Sequence, residues 1–314
     1  MKKIRVGVVG FGYWGKNQAR VFHELKVLEG IYDENLKLLK KPTEPYTFFS
    51  TLEELLNRVD AIVICTPANT HYKISLEALK NHKDVLVEKP IAMNLSEVKE
   101  LIKIEKQNNR IIMVGHQLHF HPAIVKMKEL LNKGEIGSLK WIYSNRLNLG
   151  KIRPYENVLW SFAPHDISLI LEFVKSKVKN IDVQSSKILN NNIEDTTLTL
   201  LTFNNLIKAH IFVSWIHPFK EQRFVLVGTE GSMVFSDTEF KNKLTLFKTK
   251  INKNGTIESH NSRNIALKTK EPLKEQAKYF LESVSKRSLN INDSIHAYNV
   301  VDVLEKSSKL MKSK

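Results

Sequence analysis

The chain has a single cysteine, Cys65, among 314 residues. An internal disulfide is thereby excluded, and the thiol's place in an apolar run predicts inert packing. Long hydrophobic runs are missing too: none approaches the roughly 20 residues that a membrane helix needs. The first apolar stretch breaks at Gly10 and no small-residue cleavage site follows, so no export signal is read and the cytoplasm is the expected compartment. Acid is scarce, with 33 Asp and Glu against 48 Lys and Arg and a formal net charge of +15. Gathered on one face, such an excess would attract nucleic acid. Here the lysines are scattered, and no zinc-ligand spacing, aromatic RNA-binding motif or basic helix stands out. Neither nucleic acid nor membrane is expected as a partner. The charge reads instead as a mild field that favours acidic small molecules.

The strongest signal that is present lies at the start. Ile4 to Val9 is a short, β-branched apolar run that reads as a buried parallel strand. It ends in Gly10-x-Gly12-x-x-Gly15, and a helical pattern follows at once. A lone glycine pattern is weak evidence, but here a strand precedes it and a helix follows. Gly10 permits the tight turn, Gly12 lets backbone approach a pyrophosphate, and Gly15 lets helix and strand pack closely. The N–H groups at the helix start, around Phe11, Tyr13 and Trp14, suit phosphate. Val27 to Asp33 reads as the second strand, and it ends in an acid 23 positions after Gly10. A carboxylate there accepts from the adenosine ribose hydroxyls and repels a 2′-phosphate, which favours NAD over NADP. Asp33 also reads as a turn or capping aspartate before Glu34-Asn35-Leu36.

The predicted strands continue at Tyr46–Phe49, Asp60–Thr66, Lys83–Glu88 and Arg110–Gly115. Ser50 to Glu53 reads as a capping box, and further helices reach about Lys80 and run from Leu95 to Gln107. Strand alternating with helix predicts an α/β fold with a doubly wound parallel sheet over residues 1–120. In such sheets ligands bind beyond the carboxyl ends of the strands. Residues 121–314 have another rhythm. A helix over Pro122–Leu131, a strand over Leu139–Leu149 and a helical pattern from Pro164 onward are followed by alternating runs. These are Ile181–Leu189, Thr196–Phe203, Ile207–Trp215, Arg223–Val227 and Ser232–Phe235, with a turn at Gly228–Gly231. Amphipathic helices over about Glu271–Lys286 and Asp293–Met311 close the chain and are free to pack back on the first domain. The expectation is a second α/β domain with an open, mostly antiparallel sheet, whose uncovered face pairs with a second copy.

Three groups of residues suit chemistry. Glu88-Lys89-Pro90 puts a lysine at the end of a buried strand, before a proline that restricts the backbone and admits a cis bond. Partial burial suits such a lysine to proton transfer, with Glu88 anchoring it or meeting the nicotinamide ribose; the plain alternative is a surface lysine in a loop. His165 and Asp166 form the second group. His165 shares a helix face with Ser161 and Leu169 and is a natural general base, although a histidine at a helix start is more often structural. His116, His119 and His121 form the third. They fall in a predicted loop with no cysteine or acid nearby, so no metal is expected, and contact with a ligand is the better use.

With the glycine loop, Thr66-Pro67…His71, Glu88-Lys89-Pro90 and the His165 helix in this order, the whole chain resembles the Gfo/Idh/MocA oxidoreductases. Gly12-Tyr-Trp-Gly-Lys-Asn17, Asn157-Val-Leu-Trp160 and Ala163-Pro-His-Asp-Ile-Ser168 resemble its nucleotide-sugar branch, the 3-dehydrogenases of UDP-N-acetylglucosamine or its uronic acid. The resemblance implies an NAD(P)-dependent enzyme acting on CH–OH groups. It implies a Rossmann domain, and a C-terminal domain that binds substrate and oligomerises through its sheet as a homodimer or homotetramer. It implies cofactor contacts from Gly10, Phe11, Gly12, Tyr13, Trp14, Gly15, Asp33, Thr66, Pro67, His71, Glu88 and Lys89. Substrate contacts are implied for His116, Asn145, Arg146, Asn157, Trp160, Ser161 and Asp166, with Lys89 and His165 catalytic. His165 or Lys89 would take the proton of a C3 hydroxyl, and Lys89 would stabilise the oxygen as it becomes a carbonyl. Many members carry an aspartate four positions before the histidine, where this chain has Ser161. That departure leaves Lys89 and His165 as the working pair. Asp166 lies about 100° round the helix and cannot stand in for the missing acid. Rival readings are a dehydrogenase of a free sugar or inositol, a catalytically silent NAD-binding protein, and redox-assisted glycoside cleavage with NAD used only transiently.

Overall fold

Four consecutive buried residues, β1 (Val6–Val9), form an inner strand of a parallel sheet. The computed structural model describes residues 4–35, 45–150, 152, 156–189, 192–252 and 254–312. After β1 come α1 (Tyr13–Glu24), β2 (Leu28–Tyr32), α2 (Leu52–Arg58), β3 (Ala61–Ile64), α3 (His71–Lys80), β4 (Asp84–Val87), α4 (Leu95–Gln107) and β5 (Ile112–Val114). The five strands run in the order β2-β1-β3-β4-β5, all parallel. β1, β3, β4 and β5 are buried at every residue, the pattern of a sheet with both faces covered. The order reverses between β1 and β3, so the glycine loop after β1 and the Thr66 turn after β3 flank the switch point where such sheets bind ligands.

Two local expectations need correcting. Tyr46–Phe49 is not a strand: Phe48 makes an isolated bridge to Ile31, through Ile31 N–H to Thr47 O at 2.9 Å and Phe49 N–H to Ile31 O at 2.8 Å. Pro45 on one side and the start of α2 on the other leave too few residues for a longer ladder. The capping box is one residue further along than expected. Thr51 Oγ1 accepts from Glu54 N–H at 3.1 Å, while the Glu54 carboxylate reaches back to the N–H of Thr51 and of Ser50.

The second sheet has eight strands in the order β13-β12-β11-β10-β6-β9-β8-β7. They are β6 (Leu139–Leu149), β7 (Val178–Ser186), β8 (Thr196–Phe203), β9 (Lys208–Ser214), β10 (Ile216–Gly228), β11 (Gly231–Ser236), β12 (Leu244–Ile251) and β13 (Ile257–Asn264). Only β6 and β9 pair in parallel. α5 (Pro122–Asn132) and α6 (Val158–Val174) pack on this sheet, α6 against β6, β8 and β9. The helix does not begin at Pro164 but at Val158, with Asn157 as its N-cap and the proline inside it. Proline is common at the first helical position, which misplaced the start; Val158, Leu159, Trp160 and Ala163 are already buried helix residues. β8 keeps its period of two, but Thr197 and Thr199 are buried and Leu198 is 44% exposed. Leu201 and Phe203, both 0% exposed, decide which parity turns inward, and the threonines follow them. β12 and β13 were not anticipated; β13 reads Ile257-Glu-Ser-His-Asn-Ser-Arg-Asn264 and carries almost no apolar signal.

α7 (Pro272–Lys286) and α8 (Ser294–Lys312) follow. Contacts divide the chain into one unit of Met1–Gln117 with Glu271–Val301 and another of Leu118–Lys270 with Asp302–Lys314. α7 therefore packs in the first unit, on α1, where Arg20 is bonded to both Glu24 and Glu271. Among the described residues no helix is long and apolar enough to cross a membrane.

Candidate functional site

The glycine loop is shaped by contacts that exclude side chains. Gly10 has φ +90°, and a Cβ there would lie 2.9 Å from the Cys65 carbonyl carbon. At Gly15 a Cβ would stand 1.9 Å from the carbonyl oxygen of Gly10, so α1 presses directly on the loop. Gly12 differs: a Cβ there would meet nothing within 4 Å. It is the N-cap of α1, no side chain caps that helix, and its first turn holds no acid. The N–H groups of that turn are left for an anion above Gly12.

Asp33 ties this loop down. Its Oδ2 accepts from Phe11 N–H at 2.6 Å and its Oδ1 from Asn35 N–H at 2.8 Å. A carboxylate has about four lone-pair sites, so about two remain for further donors. The turn role and the ligand role of Asp33 are thus compatible. The Phe11 ring turns into an aromatic cluster, with centroids 5.8 Å from Tyr46 and 5.3 Å from Phe48, and its N–H, expected to suit phosphate, is instead held by Asp33. Tyr13 and Trp14 are 78% and 39% exposed and stand edge to face on the first turn of α1. An open backbone cradle, an uncapped helix start and a carboxylate at the end of β2 fit a dinucleotide.

The next two carboxyl ends belong to β3 and β4. Thr70 Oγ1 lies 2.6 Å from Thr66 Oγ1 and 2.7 Å from the Pro67 carbonyl, which closes the Thr66–His71 turn. His71 is 1% exposed, with Nδ1 2.7 Å from Pro90 O and Nε2 2.8 Å from Thr66 O. Both ring nitrogens are thus taken up between the Thr66 turn and the segment after β4, which His71 braces. The Lys89–Pro90 bond is cis and Lys89 is half-buried. Glu88 accepts from Gln18 Nε2 at 3.2 Å. Burial pushes the Glu88 carboxyl up, against the opposing pull of Gln18 and Lys89. His116 is 1% exposed, with its ring edge-on to His296 at 6.0 Å. Burial, then His296 and Lys89, hold its imidazole well below the ordinary histidine value, so it is neutral near pH 7.

In the second unit α6 carries the candidates. Asp166 is anchored: Arg146 donates from Nε to Oδ2 at 2.9 Å and from Nη2 to Oδ1 at 3.0 Å, and Ser144 Oγ donates at 2.7 Å. Asn145 donates to Glu221 at 3.1 Å. Asn157 caps α6 by accepting from Trp160 N–H at 3.2 Å and donates to Glu194 at 3.0 Å, while Trp160 Nε1 donates to Ser308 at 2.9 Å. In the structure Arg146 and Asp166 fix α6 on β6, Asn157 ties the start of α6 to Glu194 just before β8, and Trp160 ties it to α8 through Ser308. These ties set where His165 stands: it is half-buried in the middle of α6, one turn beyond buried Ser161. A shallow, open pocket lies among Arg146, Asp166, Gln222, Arg223 and Asp237, but its charges are already paired, Arg146 with Asp166, Arg223 with Glu221 and Asp237 with Lys243.

The three histidines diverge. His116 faces His296, while His119 Nε2 lies 2.7 Å from Ser168 Oγ, with Lys128 Nζ 3.5 Å from its other nitrogen. His121 caps α5, its Nδ1 accepting from Ala123 N–H at 3.1 Å. Sequence reasoning missed Gln18, 1% exposed, as the partner of Glu88. A polar residue on the apolar face of α1 was the available signal.

Comparison with known proteins adds family and fold. Residues 4–116 match the model of an oxidoreductase family with an NAD-binding Rossmann fold, and residues 124–234 match the GFO/IDH/MocA C-terminal domain. The UDP-N-acetylglucosamine 3-dehydrogenase of Acidithiobacillus ferrooxidans is 25% identical over 241 residues, 75% of each chain. The myo-inositol 2-dehydrogenase of Thermotoga maritima is 23% identical over 252 residues, 74% of this chain and 75% of the other. The solved structure of the Acidithiobacillus ferrooxidans enzyme GnnA superposes with a TM-score of 0.88 at 19% identity, over 100% of this chain and 99% of that one. At that identity the superposition speaks for the fold alone. The glycine cradle, the lysine after β4 and both matched domains lead to one conclusion: this chain is an enzyme of the Gfo/Idh/MocA oxidoreductase family.

Proposed function

We propose that the protein is an NAD-dependent dehydrogenase that oxidises a ring hydroxyl, C3, of a nucleotide-linked hexose such as UDP-N-acetylglucosamine or its uronic acid. The observation that carries this reading is the match to a UDP-N-acetylglucosamine 3-dehydrogenase over three-quarters of both chains. Lys89 after β4 and His165 on α6, the pair the family resemblance implies as catalytic, support it.

In this reading the N–H groups above Gly12 hold the pyrophosphate and Asp33 accepts from the adenosine ribose. A 2′-phosphate would meet the Asp33 carboxylate, which favours NAD over NADP. NAD, when bound, supplies the acceptor for the hydride that leaves the sugar carbon. His165 takes the hydroxyl proton, and the Lys89 ammonium holds the oxygen as it becomes a carbonyl. A product of this kind suits an aminotransferase that makes a 3-amino sugar for surface glycans. The cytoplasm, where nucleotide sugars and NAD occur together, is the proposed compartment, and a second copy is the proposed cover for the open sheet face.

A second reading has its own support, the myo-inositol 2-dehydrogenase match of nearly equal extent. A panel of UDP-sugars, free hexoses and inositols, with NAD and NADP and absorbance of the reduced cofactor as readout, separates the two. Turnover confined to UDP-hexoses is expected; turnover confined to inositols or free sugars overturns the proposal. In the same assay Lys89→Ala and His165→Ala each lower kcat by ~10²-fold or more. Full turnover in both would remove them from the chemistry.

A further inference from the structure

His71 is buried at the first residue of α3, and both of its ring nitrogens lie against backbone carbonyls: Pro90 O at 2.7 Å and Thr66 O at 2.8 Å. A carbonyl oxygen only accepts, and a neutral imidazole has only one N–H. A neutral ring would bond one carbonyl and turn a nitrogen lone pair on the other at hydrogen-bond distance. Turning the ring over does not help, because carbons would then stand where the nitrogens do. C–H···O contacts have carbon–oxygen distances of about 3.3–3.6 Å, well beyond the 2.7 and 2.8 Å found here. Those separations are in the range of charge-assisted N–H···O bonds, ~2.7–2.9 Å.

We propose that His71 is a resident imidazolium, a buried cationic clip that joins the Thr66 turn to the segment carrying Lys89. The ladder between β3 and β4 ends at Glu88, whose N–H donates to Ile64 O at 2.9 Å. Among the described residues the pairing of β3 with β4 runs no further. His71 bridges the two segments instead, gripping Pro90 one residue past Lys89. It is a positioning residue: it holds the backbone from which Lys89 projects and touches no reacting atom. Opposing the charge are burial and the positive end of the α3 dipole. Favouring it are two carbonyl dipoles fixed by the fold, each accepting a charge-assisted bond. The titratable groups on the surrounding segments are Cys65 after β3, Glu88 and Lys89 after β4, Glu97 at the head of α4, and Tyr72 and Lys73 on α3 itself.

The protonation state stands on geometry alone, whereas the kinetic consequence rests on the proposed role of Lys89. The test uses the full chain labelled with ¹⁵N-histidine, with the His71 signals identified by their loss in His71→Gln or His71→Asn. Two N–H protons on the His71 ring, persisting above the ordinary histidine pKa of about 6.5, are expected. One N–H and one unprotonated nitrogen at pH 7 would overturn the proposal. In the sugar-oxidation assay His71→Gln should lower kcat by about tenfold with little change in the KM for NAD. An unchanged kcat would refute the positioning role. A wild-type protein without dehydrogenase activity would count against the proposed function while the nuclear-resonance result still decides the charge.

Discussion

Asp166→Asn separates an anchoring carboxylate from one that binds substrate. The Asp166 side chain is 1% exposed and that of Arg146 is 14%, and two N–H groups of one guanidinium meet two oxygens of one carboxylate. The substitution keeps the shape and removes the charge, which leaves the guanidinium buried against an amide. Breaking one side of such a pair costs about 3–5 kcal/mol. The small residual exposure of Arg146 favours the lower end of that range. At roughly 2–4 °C per kcal/mol for a unit of this size, the melting point should fall by about 6–12 °C. Calorimetry of the full chain is the assay, because the chain forms two compact units and only the transition of the unit holding α6 should move. The double variant Arg146→Met/Asp166→Leu should recover most of the loss, since well-packed apolar replacements of buried ion pairs are near neutral. A loss under about 1 kcal/mol, together with a raised KM for the sugar, would refute the anchoring role and place Asp166 at the substrate.

The glycines give a paired outcome: Gly12→Ala meets open space and should leave stability within about 0.5 kcal/mol while weakening NAD binding, read by calorimetric titration. Gly15→Ala, with its Cβ 1.9 Å from the Gly10 carbonyl, should lower the melting point as well. Asp33→Ala loses the bond to Phe11 N–H and the barrier to a 2′-phosphate, so the ratio of kcat/KM for NADP over NAD should rise; an unchanged ratio would remove Asp33 from cofactor choice. For His116 the folded pKa is depressed, so its contribution is present above the ordinary histidine value and is lost as pH falls toward the lowered folded one. His116→Gln should therefore flatten the acid side of the stability curve, measured by urea unfolding at a series of pH values.

Several elements could be read from the sequence because their determinants are local. An apolar run followed by spaced glycines, a helix period of 3.6 and an N-cap are properties of neighbouring residues. The capping box slipped by one residue because Ser50 and Thr51 both suit the role and only the Glu54 carboxylate, reaching back to both, decides between them. β13 was missed because its period-two signal is erased by polar residues, and its place is set by the ladder to β12.

The sequence by itself determined the dinucleotide cradle. Gly10 and Gly15 shape the loop through backbone sterics and Asp33 ties it through Phe11 N–H, all within one strand–turn–helix and the next strand, so spacing suffices. Only tertiary structure decided what the buried polar residues do. The family resemblance implies Asn157, Arg146 and Asp166 as contacts for a sugar and His71 as a contact for the cofactor, and the structure gives each of them a partner within the protein. Their partners, Glu194, Ser144 and the carbonyls of Thr66 and Pro90, lie on other elements. A buried polar group must find a partner wherever the fold provides one, and that choice is made by packing distant segments together rather than by neighbours in the chain.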